Sequence, residues 1–254
     1  MDYQNENFSR ETQIVLPKTG DQVTVKNFMA NVFSLMFLAL AISAAFAFLF
    51  SENQELMRYL YKVNSAGYLT GPNILGYIVM FAPLGFVLLM SFGYARLSAP
   101  IMILLFILYA AITGISFSFI LLAYTTGSIL GCFLSAAGMF GVMAFMGYTT
   151  KQDLTSFGRI LMMALIGIII ASLINFFMNS DTLDYVISFI GVMVFTGLTA
   201  YDVQKLKRIG EGIEAEGTPA VEVKKRSVMG ALALYLDFIN IFLFLLRLFG
   251  SRRD

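Results

Sequence analysis

Residues 227–250 read SVMGALALYLDFINIFLFLLRLFG, and this stretch decides the fold class. As a helix rising about 1.5 Å per residue, it is long enough to cross a hydrocarbon layer about 30 Å thick. Asp237 is the only charged residue in the stretch before Arg247. A charge at the centre of a membrane helix costs roughly 2.5–3.5 kcal/mol. Asp237 is therefore a candidate functional residue, with a structural, hydrogen-bonded acid as the alternative.

The composition of the whole chain indicates an integral membrane protein. Of its 254 residues, 58% are hydrophobic and 13% charged, and the mean hydropathy is +0.78. The sequence contains no histidine and one cysteine, Cys132, inside a hydrophobic run. These counts argue against disulfides, metal centres and Ser-His or Cys-His nucleophiles, so we expect no enzyme and no cofactor. The net charge of +1 and the lack of a basic stripe argue against nucleic acid as a partner.

Seven hydrophobic segments are long enough to span a bilayer. None alternates apolar and polar residues with a period of two, so transmembrane strands are disfavoured and an all-α integral membrane fold is predicted. Recurring small residues in the fourth segment suit close helix packing. The predicted spans are Asn27–Phe50, Asn73–Gly93, Ser98–Ala123, Gly127–Tyr148, Ile160–Met178, Thr182–Val203 and Ser227–Phe249.

The segments outside the spans predict the organisation and orientation of the chain. Residues 1–26 have no apolar core, so we expect a polar tail before a membrane domain at 27–250 and a short C-terminal tail at 251–254. Twelve Lys and Arg residues lie on the side of the N-terminus and five on the other side. This asymmetry predicts a cytoplasmic N-terminus and an external C-terminus. The charge-rich, glycine-containing segment 204–226 is expected to be a flexible cytoplasmic loop.

Two further charged residues lie in the same half of the membrane as Asp237. Asp202 is near the end of the sixth span and Arg96 is at the end of the second. If Asp202 and Asp237 approach each other, both cannot ionise cheaply, which predicts a proton-sensitive pair. Arg96 is then a candidate salt-bridge latch. Asn240, three residues after Asp237 on one helical face, is a candidate supporting polar residue, and this face must point into the bundle.

Each of these residues also has a simpler interpretation. Asp202 is alternatively an interfacial residue that exchanges between Lys205, Lys207 and Arg208. Arg96 is alternatively an ordinary cytoplasmic anchor. At 1.5 Å per residue, Asp237 lies about 15 Å inside its helix, whereas Asp202 lies near the boundary. The two carboxylates meet only if the sixth helix continues through Leu206.

Three motifs carry a resemblance to a known family. They are GYTTKQDL at 147–154, FTGLTAYD at 195–202 and ALYLDFIN at 233–240. Across all seven spans the chain resembles the bacterial branch of the transmembrane Bax inhibitor-1 motif family. The resemblance implies six helices surrounding a central C-terminal helix, and a pH-sensitive calcium leak with Asp202 and Asp237 as its sensor. By helix position, it implies that Arg96 is the latch.

The resemblance, together with the acidic residues of the last two spans, leads us to expect a calcium leak in a bacterial inner membrane, in contact with membrane lipids and with calcium as the transported ion. The alternative is a non-conducting regulator that binds another membrane protein, such as a membrane-bound quality-control protease. An intramembrane aspartyl protease is disfavoured, because Tyr235 and Leu236 precede Asp237 where such enzymes have Gly-x-Gly. The outer connector 51–72 and the cytoplasmic segment 204–226 are longer than in the compact bacterial pattern.

Overall fold

A computed structural model describes residues 25–63 and 69–253. Seven of the helices in these residues are long and apolar enough to cross a membrane, which confirms the predicted number of spans. In chain order the elements are α1 (Val25–Glu52), α2 (Gln54–Arg58), β1 (Tyr61–Val63), β2 (Leu69–Pro72), α3 (Ile74–Gly93), α4 (Ala99–Ala123), α5 (Thr126–Thr149), α6 (Thr155–Met178), α7 (Asp181–Glu216) and α8 (Ala220–Phe249).

Polar side chains fix the starts of several spanning helices. Asn73 caps α3, Thr125 caps α5 and Ser180 caps α7, each by accepting a hydrogen bond from a backbone N–H of the first turn. Since such caps stand next to the apolar runs in sequence, the predicted starts of these spans differ from the observed ones by at most one residue.

The prediction of a flexible loop at 204–226 is wrong. α7 continues to Glu216 and α8 begins at Ala220, so only residues 217–219 turn the chain. Leu206, Ile213 and Val223 are buried. These apolar residues form a packed helical face within a charge-rich sequence, and charged residues such as Lys205, Arg208 and Glu211 lie on the exposed face. The composition of the segment predicted a loop because composition does not reveal the helical spacing of its apolar residues.

The polar tail predicted at 1–26 lies almost entirely outside the described residues. Its last two residues belong to α1, which begins at Val25. The N–H of Val25 donates to Oε2 of Glu214 at 3.1 Å, so the start of α1 lies beside the end of α7. We call this side of the bundle the Val25 end and the opposite side the Phe249 end.

Helix α8 is at the centre of the bundle. In its most apolar 18-residue window 72% of the residues are buried, against 11% for α3 and for α6. α1, α4, α5 and α7 pack directly against α8, while α3 packs mainly on α4, and α6 on α7. The central C-terminal helix is confirmed, and the six surrounding helices form an inner group of four and an outer pair.

The described parts of the long connector, 51–63 and 69–72, lie at the Phe249 end. After α2, strands β1 and β2 pair antiparallel, with Tyr61 opposite Pro72 and Lys62 opposite Gly71. The ring of Tyr61 lies 5.0 Å from that of Phe119 in α4. The departure from the compact bacterial pattern is therefore a folded element attached to the bundle.

The C-terminal tail is attached to the turn between α4 and α5. The N–H of Thr125 donates to the carbonyl of Ser251 at 3.0 Å, and the N–H of Arg253 donates to the carbonyl of Ala123 at 2.9 Å. The end of the central helix is thereby held to two of its neighbours.

Candidate functional site

Asp237 lies in the middle of α8 with its carboxyl group buried. Its side chain is 4% exposed, and Oδ2 has no hydrogen-bond partner among the described residues. Buried polar atoms nearly always have a partner, since leaving one unsatisfied costs roughly 1–3 kcal/mol. A purely structural, hydrogen-bonded acid does not fit this geometry, so the observation favours a functional role for Asp237.

The packing of α7 against α8 brings Asp202 near Asp237. A Cβ on Gly191 would meet the ring of Phe244, and a Cβ on Gly230 would meet Leu206. These two contacts fix an antiparallel register in which Asp237 lies opposite residues 198–199, about one turn from Asp202. The two carboxylates repel each other electrostatically. The sequence predicted that the two carboxylates meet only if the sixth spanning helix continues through Leu206. This helix, α7, continues to Glu216.

A cavity of about 430 Å³ opens beside Asp202, towards the Val25 end. Asp202 is half-buried in its wall, while Asp237 lies one turn beyond Ala233, which also lines the cavity. Asp202 is thus reached from the cavity and Asp237 lies behind it. The remaining lining residues are Tyr94, Lys205, Leu206, Ile209, Arg226, Met229 and Gly230.

Of the three basic residues that follow Asp202, one interacts with it. Lys205 attracts the Asp202 carboxylate. Lys207 instead donates to the carbonyl of Tyr148 at 3.0 Å, and Arg208 pairs with Asp153 at 2.8 Å. Asp202 therefore does not exchange between all three cations in this structure; it interacts electrostatically with Lys205 alone among them.

The structure does not bring Arg96 to the aspartate pair. Arg96 is exposed in the turn between α3 and α4, and it forms no ion pair with any residue in 25–63 or 69–253. Its position at the end of a span predicted which side of the membrane it occupies, but the direction of a side chain in a turn depends on tertiary packing.

Tyr94, two residues earlier, reaches the cavity in its place. The hydroxyl of Tyr94 donates to Oε1 of Glu222 in α8, and Nζ of Lys225 lies 4.4 Å from the ring centroid. Partial burial and the Glu222 carboxylate raise the pKa of Tyr94 to about 12, so the hydroxyl stays a donor at neutral pH. Sequence reasoning missed this residue, and its one available signal was an aromatic side chain at a helix end.

Asn240 forms no hydrogen bond with Asp237 among the described residues. Its Nδ2 donates to the carbonyl of Leu236 in the same helix at 2.8 Å. The amide of Asn240 thus donates within α8, and no hydrogen bond among the described residues supports Asp237 from this side chain.

The connector between α5 and α6 is held against α7 by Gln204. The buried amide of Gln204 donates to the carbonyl of Gln152 at 2.7 Å and accepts from the N–H of Leu154 at 2.8 Å. Gly147 lies directly against the backbone of Ala200. The 147–154 motif thus holds the segment of α7 that carries Asp202. Sequence reasoning missed Gln204, although it follows the second motif by two residues.

The described residues contain no group of three or more His, Cys, Asp or Glu side chains placed to hold a metal ion. The acidic residues of the site are two, Asp202 and Asp237. Two carboxylates in a poorly solvated interior can bind a proton between them or interact transiently with a cation.

The fold and the site together define a multi-pass helical membrane protein with a buried acidic pair on its last two spanning helices. The chain belongs to the Bax inhibitor-1 family, because the model of the family described as "Inhibitor of apoptosis-promoting Bax1" matches residues 25–254.

Several bacterial proteins are similar over nearly their full length. "Inner membrane protein YbhL" of Escherichia coli K12 is 44% identical over 246 residues, covering 97% of this chain and 99% of the relative. An uncharacterized protein of Borreliella burgdorferi is 42% identical over 243 residues, covering 95% and 99%. An uncharacterized protein of Deinococcus radiodurans is 40% identical over 238 residues, covering 93% and 94%. Together with the seven apolar helices, the inner membrane relative supports a multi-pass location in a bacterial inner membrane.

Proposed function

We propose that the protein is a pH-sensitive calcium leak of the bacterial inner membrane, with Asp202 and Asp237 as its proton-sensitive element. The observation that carries the proposal is the buried Asp237 carboxyl, whose Oδ2 has no hydrogen-bond partner in the described part of the chain while a second carboxylate lies about one turn away. We place the Val25 end on the cytoplasmic side, because the excess of basic residues lies on that side. The cavity beside Asp202 then opens to the cytoplasm.

The chemistry follows from the charge of the pair. Burial and mutual repulsion disfavour the state in which both carboxylates are ionised. A proton shared between them is compatible with the close packing of α7 on α8, whereas two bare charges require water or a cation between the helices. Carboxylate oxygens are suitable ligands for a hard cation such as calcium. The protonation state of the pair would therefore set both the packing of the helices and the access of the ion.

The experiment is calcium flux into dye-loaded liposomes that contain the purified protein, measured at steps from about pH 6 to 8 so that a proton-sensitive pair can respond. Wild type is compared with Asp237→Asn and Asp202→Asn. Asp181→Asn is the matched control, because Asp181 is an exposed acid in the first turn of α7, the helix that carries Asp202 at its other end. We expect flux that varies with pH in the wild type and the control, and a flat response in the other two variants.

Two outcomes contradict the proposal. Unchanged pH dependence in both Asp237→Asn and Asp202→Asn would reject the acidic pair as the sensor. No flux above empty liposomes at any pH would favour the non-conducting regulator, with a protein partner such as a membrane-bound protease. Deleting residues 1–20 separates these functions, since conduction should survive the deletion and tail-mediated partner binding should not.

The latch proposed for Arg96 has its own test. A latch that forms in another conformation requires the charge of Arg96, so Arg96→Gln should shift the pH profile. A pH profile of Arg96→Gln that overlays the wild type would leave Arg96 as an anchor at the membrane surface.

A further inference from the structure

The contact between α7 and α8 carries a second buried polar atom without a partner. Ser188 of α7 is 0% exposed, and its Oγ has no hydrogen-bond partner among the described residues. It lies on the same face of α7 as Asp202, in a row of residues spaced three and four apart. We call this row, with the α8 residues packed against it, the α7–α8 seam. The α7 members are Asp184, Ser188, Gly191, Phe195, Leu198 and Asp202.

An aromatic ring separates Ser188 from the acidic pair. Phe244 follows Asp237 by seven residues on the same face of α8, which is roughly 10 Å along the helix. Its ring lies on Gly191, where a Cβ would come within 2.6–2.8 Å of three ring atoms. The ring of Phe195 lies 5.9 Å away. Phe244 therefore occupies the part of the seam next to Ser188, between that hydroxyl and Asp237, and the missing side chain at residue 191 makes the space for it.

Beyond Ser188 the seam reaches the surface of the bundle near the Phe249 end. The Arg247 guanidinium lies 5.6 Å from the ring of Phe244 and 3.5 Å from the carboxylate of Asp184. The side chains of Arg247 and Asp184 are 46% and 45% exposed. From the centre outwards, the seam thus contains the Asp237 carboxylate, the Phe244 ring, the buried Ser188 hydroxyl and the partly exposed Asp184–Arg247 ion pair.

We propose that the ion path follows the α7–α8 seam, with Phe244 on Gly191 as its apolar barrier and the Ser188 hydroxyl as the oxygen ligand beyond that barrier. This inference rests on the proposed leak function. An apolar ring that fills the seam excludes the water and oxygen ligands that a calcium ion needs. When the ring moves away, the ion can pass from the Asp237 carboxyl to Ser188. The Oγ of Ser188, which has no partner among the described residues, then binds the ion.

The first test measures access to Ser188 without measuring ion flux. In a Cys132→Ala background, Ser188→Cys is the one thiol of the chain, because the sequence has a single cysteine. A water-soluble, membrane-impermeant thiol reagent is applied from the side of the Val25 end, so that it must pass the Phe244 ring to reach the cysteine. We expect no labelling of this cysteine with Phe244 intact and extensive labelling after Phe244→Ala.

A matched control and a second variant keep this test decisive. Phe242→Ala removes a phenylalanine of the same helix that is equally buried but faces α5, where its ring lies 6.0 Å from that of Phe133. It should leave the cysteine unlabelled. Gly191→Ala displaces the Phe244 ring with a methyl group and leaves no large cavity, so it should also give labelling if Phe244→Ala fails to fold.

Flux through liposomes completes the test. We expect Phe244→Ala or Gly191→Ala to raise calcium flux above the wild type, and Ser188→Ala to lower it. Equal labelling in the Phe244→Ala and Phe242→Ala proteins would overturn the barrier. A wild type with pH-dependent flux that neither barrier variant changes would overturn the path while leaving the leak intact. A wild type without flux would overturn the leak itself, and the path with it.

Discussion

Replacing Gln204 by alanine should loosen the attachment of α7 to the α5–α6 connector. The side chain is 5% exposed and forms two short hydrogen bonds, at 2.7 and 2.8 Å, with the backbone of Gln152 and Leu154. Each bond contributes about 0.5–1.5 kcal/mol net, so Gln204→Ala should cost about 2 kcal/mol. For a chain of this size that corresponds to a melting temperature lower by about 4–8 °C.

Thermal unfolding of the purified protein in detergent measures this loss. Gln152→Ala is the control, since the exposed side chain of Gln152 is removed while its carbonyl still accepts from Gln204. We expect the control to change stability by less than about 0.5 kcal/mol. Gln204→Glu should also lower the melting temperature, because it places a buried carboxylate oxygen against the carbonyl of Gln152 where the amide donated. Equal melting temperatures for Gln204→Ala and Gln152→Ala would refute the structural role assigned to Gln204.

Three further predictions concern other parts of the molecule. Gly114→Ala should destabilise the protein by about 1–3 kcal/mol, because its Cβ would lie 2.8 Å from a backbone atom of α1; Gly131→Ala, with no atom within 4 Å, should be neutral or stabilising in the same unfolding assay. Asp237→Leu should abolish the pH response of the flux without lowering the melting temperature, since an apolar side chain removes the cost of a buried acid. Hydrogen bonds from Thr155, then Arg208, lower the pKa of Asp153 to about 2. The melting temperature of the wild type should therefore exceed that of Asp153→Asn by a constant amount from pH 5 to 7. The difference should shrink below the unfolded-state pKa of about 3.9 and be lost as the pH falls through about 2.

The spanning helices could be predicted because the bilayer imposes length and composition directly on the sequence. Asp237 could be selected for the same reason, since a charge in an apolar run is visible without knowledge of the fold. The extension of α7 through Leu206 to Glu216 could not, because composition there resembles a solvated loop and only the spacing of its buried residues indicates a packed helix.

The site was harder to predict where it depends on contacts between helices. Tyr94 and Gln204 reach the site through bonds to Glu222 and to the 150–154 connector, which are distant in sequence. Arg96 was selected by its position at a helix end, which fixes its depth in the membrane but not its direction. The spacing of the α7–α8 seam is present in the sequence of α7, yet nothing in that spacing specifies α8 as the facing helix.

The most direct test of the account is the pH dependence of calcium flux in liposomes with wild type and Asp237→Asn side by side. The account predicts a flux that changes between about pH 6 and 8 in the wild type and stays constant in the variant, because the variant removes the carboxyl that binds the proton. Identical pH profiles for the two proteins, or a wild type indistinguishable from empty liposomes, would contradict it.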